Sequence, residues 1–280
     1  MASSALDSQI RVWDIATHET KVVIACPPAE NWHVAFVPDS QGTSNTLAVA
    51  GGASRSVKLY DVSADGAGAE CAALALPSDT HASAHRGNDD ASDTTNATFV
   101  QAVAVSRDGT RVACGAADGT VAVFDAASRT FLHRLEGHSA PVRCVAFSPD
   151  GKTLYTACDD GHCHAYDVAH KSLLDALPGH RGWVLGVAAA GDGNAVATCG
   201  ADAAVKLWDV RADRVRAERS RLERRLLALA RRPRRRQRRR VRGHLPVRAV
   251  SRTTRRIVEL LLTSSSRCME VTFVVVCKYR

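Results

Sequence analysis

No run in this sequence approaches the roughly 18 apolar residues that a membrane-crossing helix requires. The longest is Val274–Cys277 with its neighbours, which is far too short. The opening MASSALDSQIRVWD has no basic stretch followed by an apolar core, so no secretory leader is expected. Cysteines number nine, an odd count, and seven fall in strand-like segments. Without a leader, this pattern favours reduced, buried thiols in the cytoplasm or nucleus over a disulfide framework. With 280 residues, 45% of them apolar, the chain is neither a disulfide miniprotein nor a wholly disordered polymer.

Each part of the chain is poor in charge of one sign. Residues 1–210 hold 14 Lys and Arg against 24 Asp and Glu, a net charge of −10. Residues 211–280 hold 23 basic residues against 5 acidic ones, a net charge of +18. The formal +8 of the whole therefore averages an acidic body, 1–210, and a basic tail, 211–280.

What the body has is a repeat. Gly137-His138 recurs at Gly179-His180, Asp160 at Asp202, and Tyr166-Asp167 at Trp208-Asp209, each 42 residues later. Phe124-Asp125 lies 42 residues before Tyr166-Asp167. Between these marks, Val142–Ser148, Leu154–Cys158, His162–Asp167 and Ser172–Leu177 read as short strands separated by Gly or Asp turns. A four-stranded sheet this small cannot bury both of its faces alone. Copies must pack against one another radially, which predicts an all-β fold, the β-propeller.

Earlier units fit the same scheme. SQIRVWDI (8–15) is the end of a unit, residues 31–62 form a full one with about four extra residues at 41–46, and a third, 99–126, follows at a spacing of 64. Five unit ends are visible, at Trp13-Asp14, Tyr60-Asp61, Phe124-Asp125, Tyr166-Asp167 and Trp208-Asp209, so about four and a half blades are expected. The surplus, 63–97, is rich in Ala, Asp, Ser and Thr and reads as a solvated, disordered loop insertion.

These residues resemble the WD-repeat family. Within it, three stretches are similar to the small WD-repeat subunits shared by the Ski (superkiller) complex and the RNA polymerase-associated Paf complex. They are SSALDSQIRVWDI, the Trp32…Ala35-Phe36…Pro38-Asp39-Ser40 stretch, and the run from LHRLEGHSAPVRCVAFSPDGKTLY to GHRGWVLGVA. The resemblance covers about 1–210. It implies a seven-bladed propeller, of which this chain would run from late in the second blade to the end of the sixth. It also implies a non-catalytic scaffold in cytoplasm and nucleus that docks protein subunits on its top face. No cofactor, small-molecule substrate or membrane is expected.

The resemblance implies residue roles as well. The Gly-His histidine, a turn Asp, a Ser or Thr and the Trp form one buried hydrogen-bond network. Here His138 would pair with Asp160 and His180 with Asp202, both 22 residues apart, with Trp208 in the second unit and Tyr166 in its place in the first. The Ser/Thr expected two residues before the Asp is Cys158 in one unit and Gly200 in the other, so the network is expected to be incomplete.

His beside Asp invites a catalytic reading, but no Ser sits in a Gly-x-Ser-x-Gly elbow and the pair repeats, which fits a structural staple. Cys158, His162, Cys163 and His164 invite a metal reading. Alternation sends 162 and 164 to one face and 163 to the other, and no second Cys/His pair lies in sequence to complete four ligands, so no metal is expected. Phe99 and Trp183 lie nine residues before the turn aspartates Asp108 and Asp192, where a first strand begins; Pro141 holds the same place between them, and Trp32 lies close to it in its own unit. At the top rim, Trp183, Phe99 and Trp32 are the candidate partner-binding residues. The competing reading is that each ring packs on the next blade.

Residues 211–256 hold 20 Arg, no Lys and 3 acids, densest in RRPRRRQRRR (231–240), and repulsion opposes their folding. A genuine arm would bind nucleic acid through phosphates or direct nuclear import, although it lacks the aromatics that base stacking needs. Arg without Lys after an abrupt end to the repeat is also what GC-rich DNA yields out of frame, and a frameshift or mis-splicing product is the favoured reading. A scaffold of the Ski and/or Paf type leads among functions. A generic WD-repeat adaptor in ubiquitin ligation or signalling, and nucleic-acid binding through the tail, are the alternatives.

Overall fold

The computed structural model describes residues 1–210 apart from 6, 39–44, 64, 65, 67 and 78–98. The 211–280 tail and most of the expected 63–97 insertion lie outside the described residues. Every regular element among the described residues is a β-strand. The first sheet holds β1 (Ala2–Ser4), β2 (Gln9–Trp13) and β3 (Thr20–Ala25). The second holds β4 (Val34–Val37), β5 (Thr46–Ala50), β6 (Ser56–Asp61) and β7 (Ala69–Ala75). The third holds β8 (Val100–Val105), β9 (Arg111–Ala116), β10 (Val121–Asp125) and β11 (Thr130–Leu135). The fourth holds β12 (Val142–Phe147), β13 (Thr153–Cys158), β14 (Cys163–Asp167) and β15 (Ser172–Leu177). The fifth holds β16 (Val184–Ala189), β17 (Ala195–Gly200) and β18 (Val205–Asp209).

In every sheet, neighbours in sequence are antiparallel neighbours in space. The eighteen strands of the described residues, at four to a blade, make four and a half blades, an incomplete β-propeller. One strand belongs where a loop was expected: β7 runs through 69–75, inside the 63–97 insertion. Its sequence, AECAALA, has no β-branched residue, and it is largely exposed as an outermost strand, so its local signal is weak.

Four clusters of buried apolar side chains fill the four interfaces between the five sheets. Ile10, Ile24, Leu47 and Tyr60 join the first to the second, and Leu59, Leu74, Val112 and Phe124 the second to the third. Leu135, Val142, Leu154 and Tyr166 join the third to the fourth, and Leu177, Val184, Val196 and Trp208 the fourth to the fifth. Strand alternation makes this possible. Val112 and Cys114 point into one interface while Ala113 points into the other, and Leu154 and Tyr155 divide in the same way. Each fully buried Leu or Val contributes about 2 kcal/mol that a lone sheet would forgo.

Local irregularities repeat with the same period. The first strand breaks register between Val100 and Ala102, Val142 and Cys144, and Val184 and Gly186. The third strand shifts against the fourth at Leu59/Tyr60, Val123/Phe124 and Ala165/Tyr166. The Asp that ends each unit also has a local reason to be there. Asp125 accepts the Ser128 amide (2.7 Å), and Asp167 accepts those of Ala169 and His170, closing the hairpin to the outer strand. These amides hold both carboxyls below their usual range. The outer edge of β7 is covered in part by its neighbour, as Arg129 Nη1 donates to the Cys71 carbonyl at 2.9 Å.

Candidate functional site

The loops before each first strand and the turns between second and third strands share one end of the sheets, the top rim. Both expected His-Asp pairs form there. His138 Nδ1 lies 2.7 Å from Asp160, and His180 Nδ1 lies 3.0 Å from Asp202. A carboxylate only accepts, so each Nδ1 carries a proton, and in the neutral form of the ring Nε2 is an acceptor. That acceptor is met: Thr156 Oγ1 lies 2.7 Å from His138 Nε2, and Thr198 Oγ1 2.9 Å from His180 Nε2. The expectation of an incomplete network is therefore corrected. The hydroxyl stands four residues before the Asp, not two, because the imidazole reaches past the turn onto the preceding strand. Cys158, at the position first considered, donates to the Ala140 carbonyl (3.2 Å) and ties the turn to the loop.

In the fifth sheet the fourth member joins: Trp208 Nε1 donates to Thr198 Oγ1 at 2.9 Å. Indole, hydroxyl, imidazole and carboxylate form a single directed chain. In the fourth sheet Tyr166 instead meets His164 Nδ1 at 3.0 Å, and His164 stacks on His138 with ring centroids 3.9 Å apart. Lys206 stands at the place of His164 in the fifth sheet and donates to the Gly179 carbonyl. Burial pushes the Asp202 carboxyl up, but the amides of Arg181 and Ala204 and the His180 ring outweigh it and hold it at about 2. Asp160 is held low in the same way, by His138 and the His162 amide against its burial.

Thr-His-Asp at these distances has the connectivity of a nucleophile triad. Thr156 and Thr198 are 0% and 1% exposed, so neither hydroxyl faces a surface that a substrate could reach. The arrangement staples the loop to the turn. The structure also places His138, Asp160 and His164 close enough to suggest a metal cluster, a set different from Cys158, His162, Cys163 and His164. Both nitrogens of His138 are already engaged by Asp160 and Thr156, and the His164 ring lies parallel to it, so the two imidazoles do not converge on one ion.

The candidate rim aromatics divide into two seams. Phe99, Pro141 and Trp183 hold one repeated place: their carbonyls accept the amides of Ala117, Asp159 and Ala201 at 2.8, 3.0 and 2.8 Å. Trp32 and Phe99 meet edge to face, 5.3 Å between centroids, at the seam of the second and third sheets. Gly52 lies beneath them with φ +51°, and a Cβ there would stand 1.9 Å from the Ala29 carbonyl oxygen and 2.9 Å from both rings. Trp183, at the seam of the fourth and fifth sheets, is 53% exposed. The Arg143 guanidinium lies 5.7 Å from its ring centroid and forms a two-pronged ion pair with Asp159 (2.6–3.0 Å). Arg143 was not singled out from sequence, although it stands on the first strand just after the Pro141 place.

The WD domain, G-beta repeat family matches residues 92–125, 129–167 and 171–209. Over 142 residues the chain is 43% identical to the WD repeat-containing protein VIP3 of Arabidopsis thaliana, covering 51% of this chain and 40% of that protein. Over 142 residues it is 31% identical to the WD repeat-containing protein SL1-17 of Schistosoma mansoni, covering 51% of this chain and 38% of that one. The chain thus spans about two fifths of the length of these curated relatives. The matched residues end each unit with the Phe, Tyr or Trp and Asp whose packing and turn-closing bonds recur above, so these three units are similar to WD repeats.

Proposed function

We propose that the chain is a non-catalytic protein-interaction scaffold whose top rim docks short segments of partner proteins. One observation carries this reading. The His, Thr and Trp marks of the fifth sheet are buried, while Trp183 beside them is left 53% exposed with a guanidinium at its ring. An aromatic ring and an Arg together at a rim are the residue types that most often anchor a protein interface. The finer reading is a subunit of the Ski complex, in cytoplasmic 3′–5′ mRNA decay with the exosome, and/or of the Paf complex, in transcription elongation and histone modification. It is supported by the phrases GHRGWVL (179–185) and Tyr166-Asp167-Val168-Ala169-His170, and it implies work in both cytoplasm and nucleus.

Used as bait, the chain is expected to retain helicase-complex or elongation-complex subunits, and recovery of neither overturns the finer reading. Trp183→Ala is expected to weaken partner binding at least about tenfold while leaving the far-UV circular dichroism unchanged. Loss of folding instead would assign the ring to the inter-sheet core.

A further inference from the structure

The fifth sheet builds its staple with one histidine. The fourth builds the same staple with a second imidazole laid against the first, planes 11° apart. The ring of His162, two residues earlier and just before that strand, lies 6.2 Å from that of His164. The groups facing this stack come from several elements. Asp160 comes from the β13–β14 turn, Thr156 from β13, His162 from the residue just before β14, and Tyr166 from β14, the strand that carries His164. β15 sets Ala176 opposite His164, and its Asp175 pairs with Ala165, one residue out of phase. A single carboxylate therefore serves three imidazoles. It can balance one imidazolium; a second, stacked within 4 Å of the first and 7% exposed, would be uncompensated.

We infer that the fourth sheet carries an acid-sensitive latch: protonation of the stacked His138–His164 pair opens the top loop 136–141 and the turn 158–162, while the fifth sheet, with Lys206 and Trp208 in the equivalent places, stays closed. Opening would also release Asp159, which the loop holds through the Pro141 carbonyl and which in turn holds Arg143 near Trp183. Partner docking would then weaken together with the latch. This last link rests on the docking reading above, whereas the opening itself does not.

The direction follows from the closed form's reluctance to accept protons. Burial, reinforced by the neighbouring His138, pushes His164 down from 6.5 to about 4, and burial also lowers His138. Both bind protons more readily once released, so the closed latch is favoured above pH 6.5 and loses ground as pH falls toward 4. For His164 alone, the open population rises about thirtyfold between pH 7.5 and 5.

Hydrogen exchange of the full chain, followed by mass spectrometry at pH 7.5 and 5.0 and corrected for intrinsic rates, tests this. Protection of 136–141 and 158–164 is expected to fall about thirtyfold relative to 178–183 and 200–206, and His164→Gln is expected to remove most of the difference. Equal loss in both sheets, or no loss in the fourth, overturns the latch. If His164→Gln does not fold, imidazole proton resonances of the unaltered chain decide: two histidines titrating at ordinary values with no exchange broadening overturn it. Partner affinity measured over the same pH range separates the two claims. Lost protection with unchanged affinity refutes only the link to docking, and lost affinity with full protection refutes the latch as its cause.

Discussion

The fourth and fifth sheets share their backbone register, with the same strand break before Cys144 and Gly186, yet satisfy their buried polar groups differently. In the fifth, Trp208, Thr198, His180 and Asp202 hand hydrogen bonds along one line. In the fourth, exchanging Trp for Tyr cuts that line. Thr156, His138 and Asp160 keep their part, and Tyr166 finds a new partner in His164. The two changes belong together, because Lys206 and Trp208 become His164 and Tyr166 as a pair. These two units thus hold backbone geometry strictly, while their side chains vary in a way that leaves the His, Thr and Trp or Tyr named above each with a partner.

The largest test of this difference is removal of the two hydroxyls. Thr198→Val leaves both His180 Nε2 and Trp208 Nε1 unmet and is expected to cost about 3 kcal/mol in urea unfolding, against about 1.5 kcal/mol for Thr156→Val, which orphans one nitrogen. Equal losses would break the comparison. Acid sharpens it next. The thermal midpoint is expected to fall as pH drops from 6.5 toward 4, since His33, His138 and His164 are all held low by burial and protonate more readily unfolded. A second fall belongs to Asp202, whose contribution is complete above 3.8 and disappears as pH passes through about 2. His164→Gln should flatten the upper limb alone. Backbone strain gives a smaller contrast. Ala203 has φ +58° where the fourth sheet has Gly161 at +84°, so Ala203→Gly is expected to stabilise by about 1 kcal/mol and Gly161→Ala to destabilise by a similar amount, read as opposite shifts in thermal midpoint. The smallest expected stability effect is that of Trp183→Ala, within about 0.5 kcal/mol in the same assay, because that ring faces solvent.

Much of the fourth unit was legible in its spacing. β15 coincides with the segment read from sequence, and β12, β13 and β14 differ from theirs by one residue at one end. β1 and β7 were not legible, since Ala2–Ser4 and Ala69–Ala75 lack the branched and aromatic residues that mark a strand. The His-Asp pairs were visible because both members recur at one offset. Their threonines were missed because the hydroxyl was sought on the turn and the ring reaches down the strand. The Trp32–Phe99 and His138–His164 contacts carry no local signal at all. They join residues 67 and 26 positions apart, and only the packing of one sheet on the next, or of loop on strand, brings them together.

By itself the amino-acid order determined the unit length, the four-strand rhythm and the turn aspartates. These depend on alternation and on hydrogen bonds spanning only a few residues. Tertiary structure alone decided which threonine completes each staple, which rim ring is left to solvent and which histidine lies on another. Those outcomes depend on the angle at which one sheet meets its neighbour, and no short-range pattern encodes that angle.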